Sequence, residues 1–113
     1  MPKMTGARFI AETLKGYGVT HVFFVPAVLG RALAEMERVG IQRVVAHSEK
    51  AAAYMADGYA RASHRPGVCL CQDIGTTNLA AGLRDPHMGC SPVIRSSCGS
   101  SPRPPSAAAG ARR

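Results

Sequence analysis

The feature that most constrains the fold is a strict alternation of short β-branched runs with helical periodicities over the first 93 residues, joined by short connections. Thr5 can cap a helix whose apolar positions Phe9, Ile10, Leu14 and Tyr17 recur at helical spacing, with Gly16 and Gly18 closing it. Val19 to Val25 reads as a strand ended by Pro26, and a helix through Leu29, Leu33 and Met36 stops at Gly40. A short strand from Gln42 to Ala46 leads into a helix starting near Ser48. Gly67 to Gln72 reads as another strand, and a loop at Asp73-Ile74-Gly75-Thr76-Thr77-Asn78 opens a helix toward Arg84. Pro92-Val93-Ile94 begins a further strand. This order predicts the α/β class, a parallel sheet with flanking helices and right-handed connections. Parallel strands are buried on both faces, which suits the apolar runs Val22-Phe23-Phe24-Val25 and Val44-Val45-Ala46.

After Ile94 the character changes. Residues 95–113 are dominated by Arg, Pro, Ser, Ala and Gly, with no periodicity, and are expected to stay disordered because they cannot recover the entropy of ordering. The break suggests an out-of-frame translation or a truncation, and divides the chain into residues 1–94 and a tail of 95–113. The tail also explains most of the charge. Of the net +7, residues 1–93 supply +3 from ten basic and seven acidic residues, while residues 94–113 hold four Arg and no acid. The folded part is thus only mildly basic, and its positive residues do not alternate with aromatic ones. Nucleic acid is therefore not the expected partner, although a small nucleic-acid-binding protein acting through its Arg-rich tail remains an alternative.

At 113 residues there is room for one small domain at most. No apolar run is long enough to span a bilayer, so no membrane contact is expected. Met1 to Gly6 lacks the apolar stretch of a secretory signal, which leaves a cytoplasmic address as the expectation. Cys69 and Cys71 lie two apart on one strand without a turn between them, and Cys90 and Cys98 add no second pair of ligands. All four read as incidental thiols, with no metal site. Gly16-Tyr17-Gly18 ends a helix and precedes a strand, the reverse of a dinucleotide fingerprint.

Glu49 is the first candidate for chemistry. It stands just past a strand, in the first turn of a helix, where parallel sheets place their ligand crevices. An acid there also simply complements the helix dipole, so position alone does not single it out. Its helix is unusually slim, with small residues at 51, 52, 53, 56, 58, 60 and 62. Gly58 costs about 1 kcal/mol of helix stability against Ala, and close packing against other backbone is the expected reason for it. A lone His at a strand end, as at His21 or His47, is more often structural than functional.

Three ordered segments carry a resemblance. His47 to Ala62 resembles the H-x-E-x-x-A-x-x-M-A-x-G-Y-A-R motif of the N-terminal, pyrimidine-binding domain of thiamine-diphosphate enzymes of the acetolactate synthase, benzoylformate decarboxylase and oxalyl-CoA decarboxylase type. Leu14, Gly18-Val19 and Val22-Phe23 resemble the same domain's first helix and strand. Gly75-Thr76-Thr77-Asn78-Leu79, Gly82-Leu83 and Asp85 resemble its G-x-x-N-L-x-x-G-L-x-D stretch. The resemblance runs from about Thr5 to Ile94 and implies thiamine diphosphate as cofactor. It implies that Glu49 is the catalytic carboxyl, hydrogen-bonded to a ring nitrogen of the aminopyrimidine, and that Pro26, Gly75, Thr76 and Asn78 line the cleft. His47 falls where the family often has His or Arg. Ala27 stands where the family's G-x-P-G turn ends in Gly, and Asp73 where Gly or Ser is usual, so contacts to substrate do not carry over. The family's G-D-G…N motif for diphosphate and Mg²⁺ does not occur, nor does the central domain that binds FAD in some members. The implied role is half of a site that acts on 2-keto acids or acyl-CoA, completed within a homo-oligomer or by a full-length subunit. A non-catalytic module docking on such subunits is the alternative.

Overall fold

The computed structural model describes residues 3–26 and 29–98. Helix α1 spans Gly6–Gly16, strand β1 His21–Phe24, helix α2 Gly30–Arg38 and strand β2 Gln42–Val45. They are followed by helix α3 Glu49–Ser63, strand β3 Gly67–Gln72, a 3₁₀ turn Asp73–Gly75, helix α4 Thr76–Met88 and strand β4 Val93–Cys98. The four strands form one parallel sheet in the order β2-β1-β3-β4, with His21 opposite Gln42, Val22 opposite Val68 and Gly67 opposite Val93. The α/β class and the parallel sheet expected from the sequence are what the chain adopts.

Local chemistry accounts for the element ends. Thr5 Oγ1 accepts from the Arg8 backbone N–H and starts α1. Ser48 Oγ accepts from the Ala51 N–H and starts α3. Gly18 and Gly40, both at φ +77°, take the left-handed turn that releases each chain into the next strand. His64 closes α3 in the same region without being glycine.

The core has two layers, one on each side of the sheet. Val22, Phe24, Val68 and Leu70 pack beneath α1 and α2 with Ala11, Leu33 and Met36. Phe23, Cys69 and Cys71 pack beneath α3 and α4 with Ala52, Ala53, Ala56 and Leu79. The slim side of α3 is therefore the side that seats on the sheet and on α4. Gly82 of α4 approaches so closely that a Cβ there would lie 2.7 Å from both the Ala53 Cβ and the Lys50 carbonyl oxygen.

Three expectations need correcting, and the packing of α1 lay beyond what its periodicity states. Gly58 is exposed with nothing within 4 Å of a would-be Cβ, so close packing does not explain it; the closest approaches to the backbone of α3 fall at Gly67 and Gly82 instead. In α1 the buried residue is Ala11, while Phe9 and Tyr17 are 62% and 84% exposed, because α1 leans on α2 through its small side. Helix α4 continues past Arg84 through Pro86 to Met88. Pro86 gives up one backbone hydrogen bond but is buried, which offsets the loss. Finally, Arg95 to Cys98 are not part of an irregular tail: they complete β4, with Arg95 opposite Cys69 and Cys98 opposite Gln72. Their ladder depends on backbone groups, which every residue carries, rather than on side-chain hydrophobicity. The rest of the expected tail, and Ala27, lie outside the described residues.

Arg61 Nε donates to Asp57 Oδ1 at 2.9 Å, one helical turn away on α3. The Arg61 hydrogen bond holds the Asp57 carboxyl below its usual range, against the opposing effect of its burial. Because the folded-state value is depressed, the pair's contribution is fully present above the unfolded-state value and is lost as pH falls through the folded one. The urea midpoint is accordingly expected to hold near neutrality and to fall below about pH 4, with Asp57→Asn flattening part of that fall. Parallel pH series of urea melts check this, and identical acid limbs in both proteins would refute it.

Candidate functional site

Strands β1 and β3 are neighbours, but the chain leaves them in opposite directions: β1 connects outward to β2 and β3 outward to β4. Such a switch point opens a crevice beyond the carboxyl ends of the strands. The bend at Pro26 follows β1, and the turn Asp73–Gly75 follows β3. The end of β2 delivers Ser48 and Glu49 to the same edge, because Ser48 caps α3 and fixes Glu49 as its first residue.

The half-buried Glu49 carboxyl rests against Gly75. A Cβ on residue 75 would fall 2.6 Å from Glu49 Oε1, 2.8 Å from its Cγ and 2.9 Å from its Cδ. Only glycine leaves that space open. On the other oxygen, Asn78 Nδ2 donates a long hydrogen bond of 3.4 Å to Glu49 Oε2. A cavity of about 540 Å³ lies beside this pair, lined by Ser48, Lys50, Thr77, Asn78 and Ala81. It sits where the amino ends of α3 and α4 meet.

Of the residues singled out in the sequence, Glu49, Gly75 and Asn78 come together. Thr76 turns away, its hydroxyl 3.6 Å from the Cys71 sulfur, and Pro26 lies exposed in the bend after β1. The segment Ile74 to Asn78 is not a loop; a 3₁₀ turn runs straight into α4, whose capping position is Gly75 with no side-chain hydrogen bond. Neither Thr nor Asn caps this helix, because the preceding turn already presents the Asp73 carbonyl to the Thr76 N–H.

His21 sits at the amino end of β1, the opposite edge, where its Nδ1 lies 2.8 Å from Thr20 Oγ1. The same hydroxyl lies 2.7 Å from the Tyr59 OH. That group ties α3 to the sheet far from Glu49, and its His has a structural setting. Sequence reasoning missed Tyr59, although a Tyr one residue after Gly58 inside a small-residue helix was a visible signal. His47 is exposed in the link between β2 and α3.

Cys69 and Cys71 share the face of the sheet beneath α3 and α4, as their spacing predicts. Burial pushes the Cys69 thiol up to about 11, with the neighbouring Cys71 adding to the shift, so it stays protonated and unreactive. Cys90 is exposed and free. Among the described residues no three His, Cys, Asp or Glu side chains gather as ligands for a metal ion. No helix of the described residues is long and apolar enough to cross a membrane.

A parallel sheet with its crevice at the strand carboxyl ends, and a glutamate seated on a glycine there, place the chain among the open-sheet α/β domains. Residues 4–103 match the family model of the thiamine pyrophosphate enzyme N-terminal TPP binding domain, and the chain belongs to that family. It is 34% identical over 93 residues to a probable 2-ketoarginine decarboxylase of Pseudomonas aeruginosa, an alignment covering 80% of this chain and 17% of that protein. It is 34% identical over 98 residues to acetolactate synthase of Arthrospira platensis, covering 81% of this chain and 17% of the relative. Acetolactate synthase isozyme 2 large subunit of Escherichia coli is 34% identical over 95 residues, covering 80% and 17%. The chain thus spans about 17% of the length of these curated relatives. The X-ray structure of a candidate thiamin diphosphate-dependent enzyme from Mycobacterium smegmatis superposes with a TM-score of 0.72 at 23% identity, covering 84% of this chain and 19% of that one. The fold is shared.

Proposed function

We propose that this chain supplies the pyrimidine-facing half of a thiamine diphosphate site. The observation that carries the reading is the seat of the Glu49 carboxyl on Gly75, a cradle that any Cβ would fill. The residues fit the group: a carboxyl that can hold a proton at a ring nitrogen, an amide at Asn78 that orients it, and a cavity wide enough for a ring beside both. Thiamine diphosphate, when bound, supplies the nucleophilic carbon. The chain's own part is to hold the ring, to keep Glu49 at its nitrogen, and to exclude water with Gly75 and the ends of β1 and β3. Thr76, whose hydroxyl faces the Cys71 sulfur, and Pro26, exposed in the bend, frame the cleft rather than contact the ring.

The diphosphate and its Mg²⁺ belong, in this reading, to a complementary domain, supplied within a homo-oligomer or by a longer subunit. Activity on 2-keto acids, as the relatives' names suggest, then belongs to that assembly, and the chain by itself is expected to bind weakly and turn nothing over. FAD, where such an assembly uses it, lies outside this chain's contribution.

The test is a titration of the ¹⁵N-labelled chain with thiamine diphosphate. Shifts are expected to concentrate in residues 47–51 and 74–78, and Glu49→Ala is expected to weaken binding about tenfold, the loss of one charge-assisted hydrogen bond. Equal binding by Glu49→Ala, or shifts centred elsewhere, would sink the assignment.

A further inference from the structure

Helix α4 begins without the usual fastening. Its capping residue, Gly75, brings no side-chain hydrogen bond, and Thr77 and Asn78 are exposed. Yet both contacts of the Glu49 carboxyl come from this first turn: the close approach of Gly75 and the hydrogen bond from Asn78. At 3.4 Å that bond is already long, so a small retreat of the turn abolishes it.

Two of the contacts that hold α4 are steric or apolar. Gly82 lies against Ala53 and the Lys50 backbone, about two turns beyond Gly75, and Leu79 is wholly buried beneath the helix. Such contacts fix how closely the helix approaches, but they are not directional and let it slide or roll slightly. A third contact is directional. The Thr76 hydroxyl lies 3.6 Å from Cys71 Sγ, within hydrogen-bonding range of a sulfur, and ties the first residue of α4 to the strand beneath it. Cys71 is itself immobilised: it is 1% exposed and belongs to β3, an inner strand with β1 on one side and β4 on the other. The neighbouring thiol on the same face, Cys69, donates to the Ile94 carbonyl and does not compete for the threonine.

Thr76 stands one residue from Gly75 and two from Asn78, so a turn held at 76 is held at both. We propose that Cys71 and Thr76 are positioning residues for Glu49. Their hydrogen bond sets where the first turn of α4 stands and, through Gly75 and Asn78, where the carboxyl stands. The assignment deepens, and rests on, the reading of Glu49 as the group that meets the cofactor ring.

The test compares Thr76→Val, which keeps the shape and loses the hydroxyl, with Thr76→Ser, which keeps the hydroxyl, and with Cys71→Ala. The reporter in the free ¹⁵N-labelled chain is the Asn78 side-chain amide. Thr76→Val and Cys71→Ala are both expected to move it toward its position in Glu49→Ala, and Thr76→Ser to leave it near the parent's. Thiamine diphosphate binding is expected to weaken about fivefold in Thr76→Val and in Cys71→Ala, and by no more than about twofold in Thr76→Ser. Once Thr76→Val is in place, Cys71→Ala should weaken binding no further. Melts run alongside, because Cys71→Ala also opens a cavity; a purely structural role would lower them and leave the Asn78 amide where it was. An unmoved amide in Thr76→Val, a Thr76→Ser protein that behaves like Thr76→Val, or additive losses in the double variant would each overturn the proposal. The amide is read without ligand, so the two assignments fail separately: a parent that does not bind thiamine diphosphate, with the amide moving as expected, sinks the cofactor assignment and supports the positioning of the carboxyl.

Discussion

Gly67→Ala is expected to lower the stability of this domain by about 3 kcal/mol, the upper end of overpacking, and its melting temperature by about 15 °C. Gly67 opens β3 and is buried, its N–H held by the Pro92 carbonyl at 3.0 Å. A Cβ there would overlap the Ala56 carbonyl oxygen and stand 2.7 Å from the carbonyl carbon. Both partners are backbone, so no rotamer change relieves the overlap. Helix α3 has little room to retreat either, because Ala52, Ala53 and Ala56 are wholly buried on the same side. Gly58→Ala is the internal control: the same substitution, on the exposed side of that helix, is expected to stabilise by up to about 1 kcal/mol through helix propensity. Thermal melts followed by circular dichroism compare the two. A Gly67→Ala melt within about 2 °C of the parent would mean that α3 does not press on β3 as described.

That contrast marks what a sequence can and cannot tell. The start of α3 was legible because Ser48 is a good cap followed by a helix-forming run, and β3 because Gly67 to Gln72 is a compact apolar stretch bounded by Pro66 and Asp73. Both are local signals. Which glycine is squeezed is not local, since the atoms that meet a Cβ at Gly67 come from Ala56 and those at Gly82 from Lys50 and Ala53. The packing of α1 was hidden for a related reason. Periodicity places Phe9, Ile10 and Tyr17 as candidates for a core but does not say which side a neighbour covers, and α2 covers the side with Ala11. In β2, Val45 is 58% exposed because its strand is an edge, a property of strand order that no residue of β2 encodes. At the site, Glu49 could be singled out as a candidate from ordered motifs. Its contact with Gly75 and its hydrogen bond from Asn78 needed the return of the chain from β3 to the end of β2.

Gly75→Ala is expected to cost about tenfold in thiamine diphosphate binding while leaving the fold almost untouched. The residue adopts φ −71° and ψ −9°, which suits alanine as well as glycine, and the substitution lowers the entropy of the unfolded chain. The three nearest atoms that a new methyl group meets are Oε1, Cγ and Cδ of Glu49, at 2.6, 2.8 and 2.9 Å. A side chain can swing away where backbone cannot, so the strain is relieved by moving the carboxyl. Moving it breaks the 3.4 Å hydrogen bond from Asn78 and, in the proposed role, takes the carboxyl away from the ring nitrogen. The loss therefore falls on function, opposite to the case of Gly67. A double-mutant cycle makes the argument strict. In a Glu49→Ala background there is no carboxyl left to displace, so Gly75→Ala should then weaken binding no further, a coupling as large as either single loss. Titrations of the four proteins, with their melts alongside, measure it. Additive losses would show that Gly75 touches the ring independently of Glu49, and an unchanged Gly75→Ala would show that the glutamate does its work from somewhere other than this cradle.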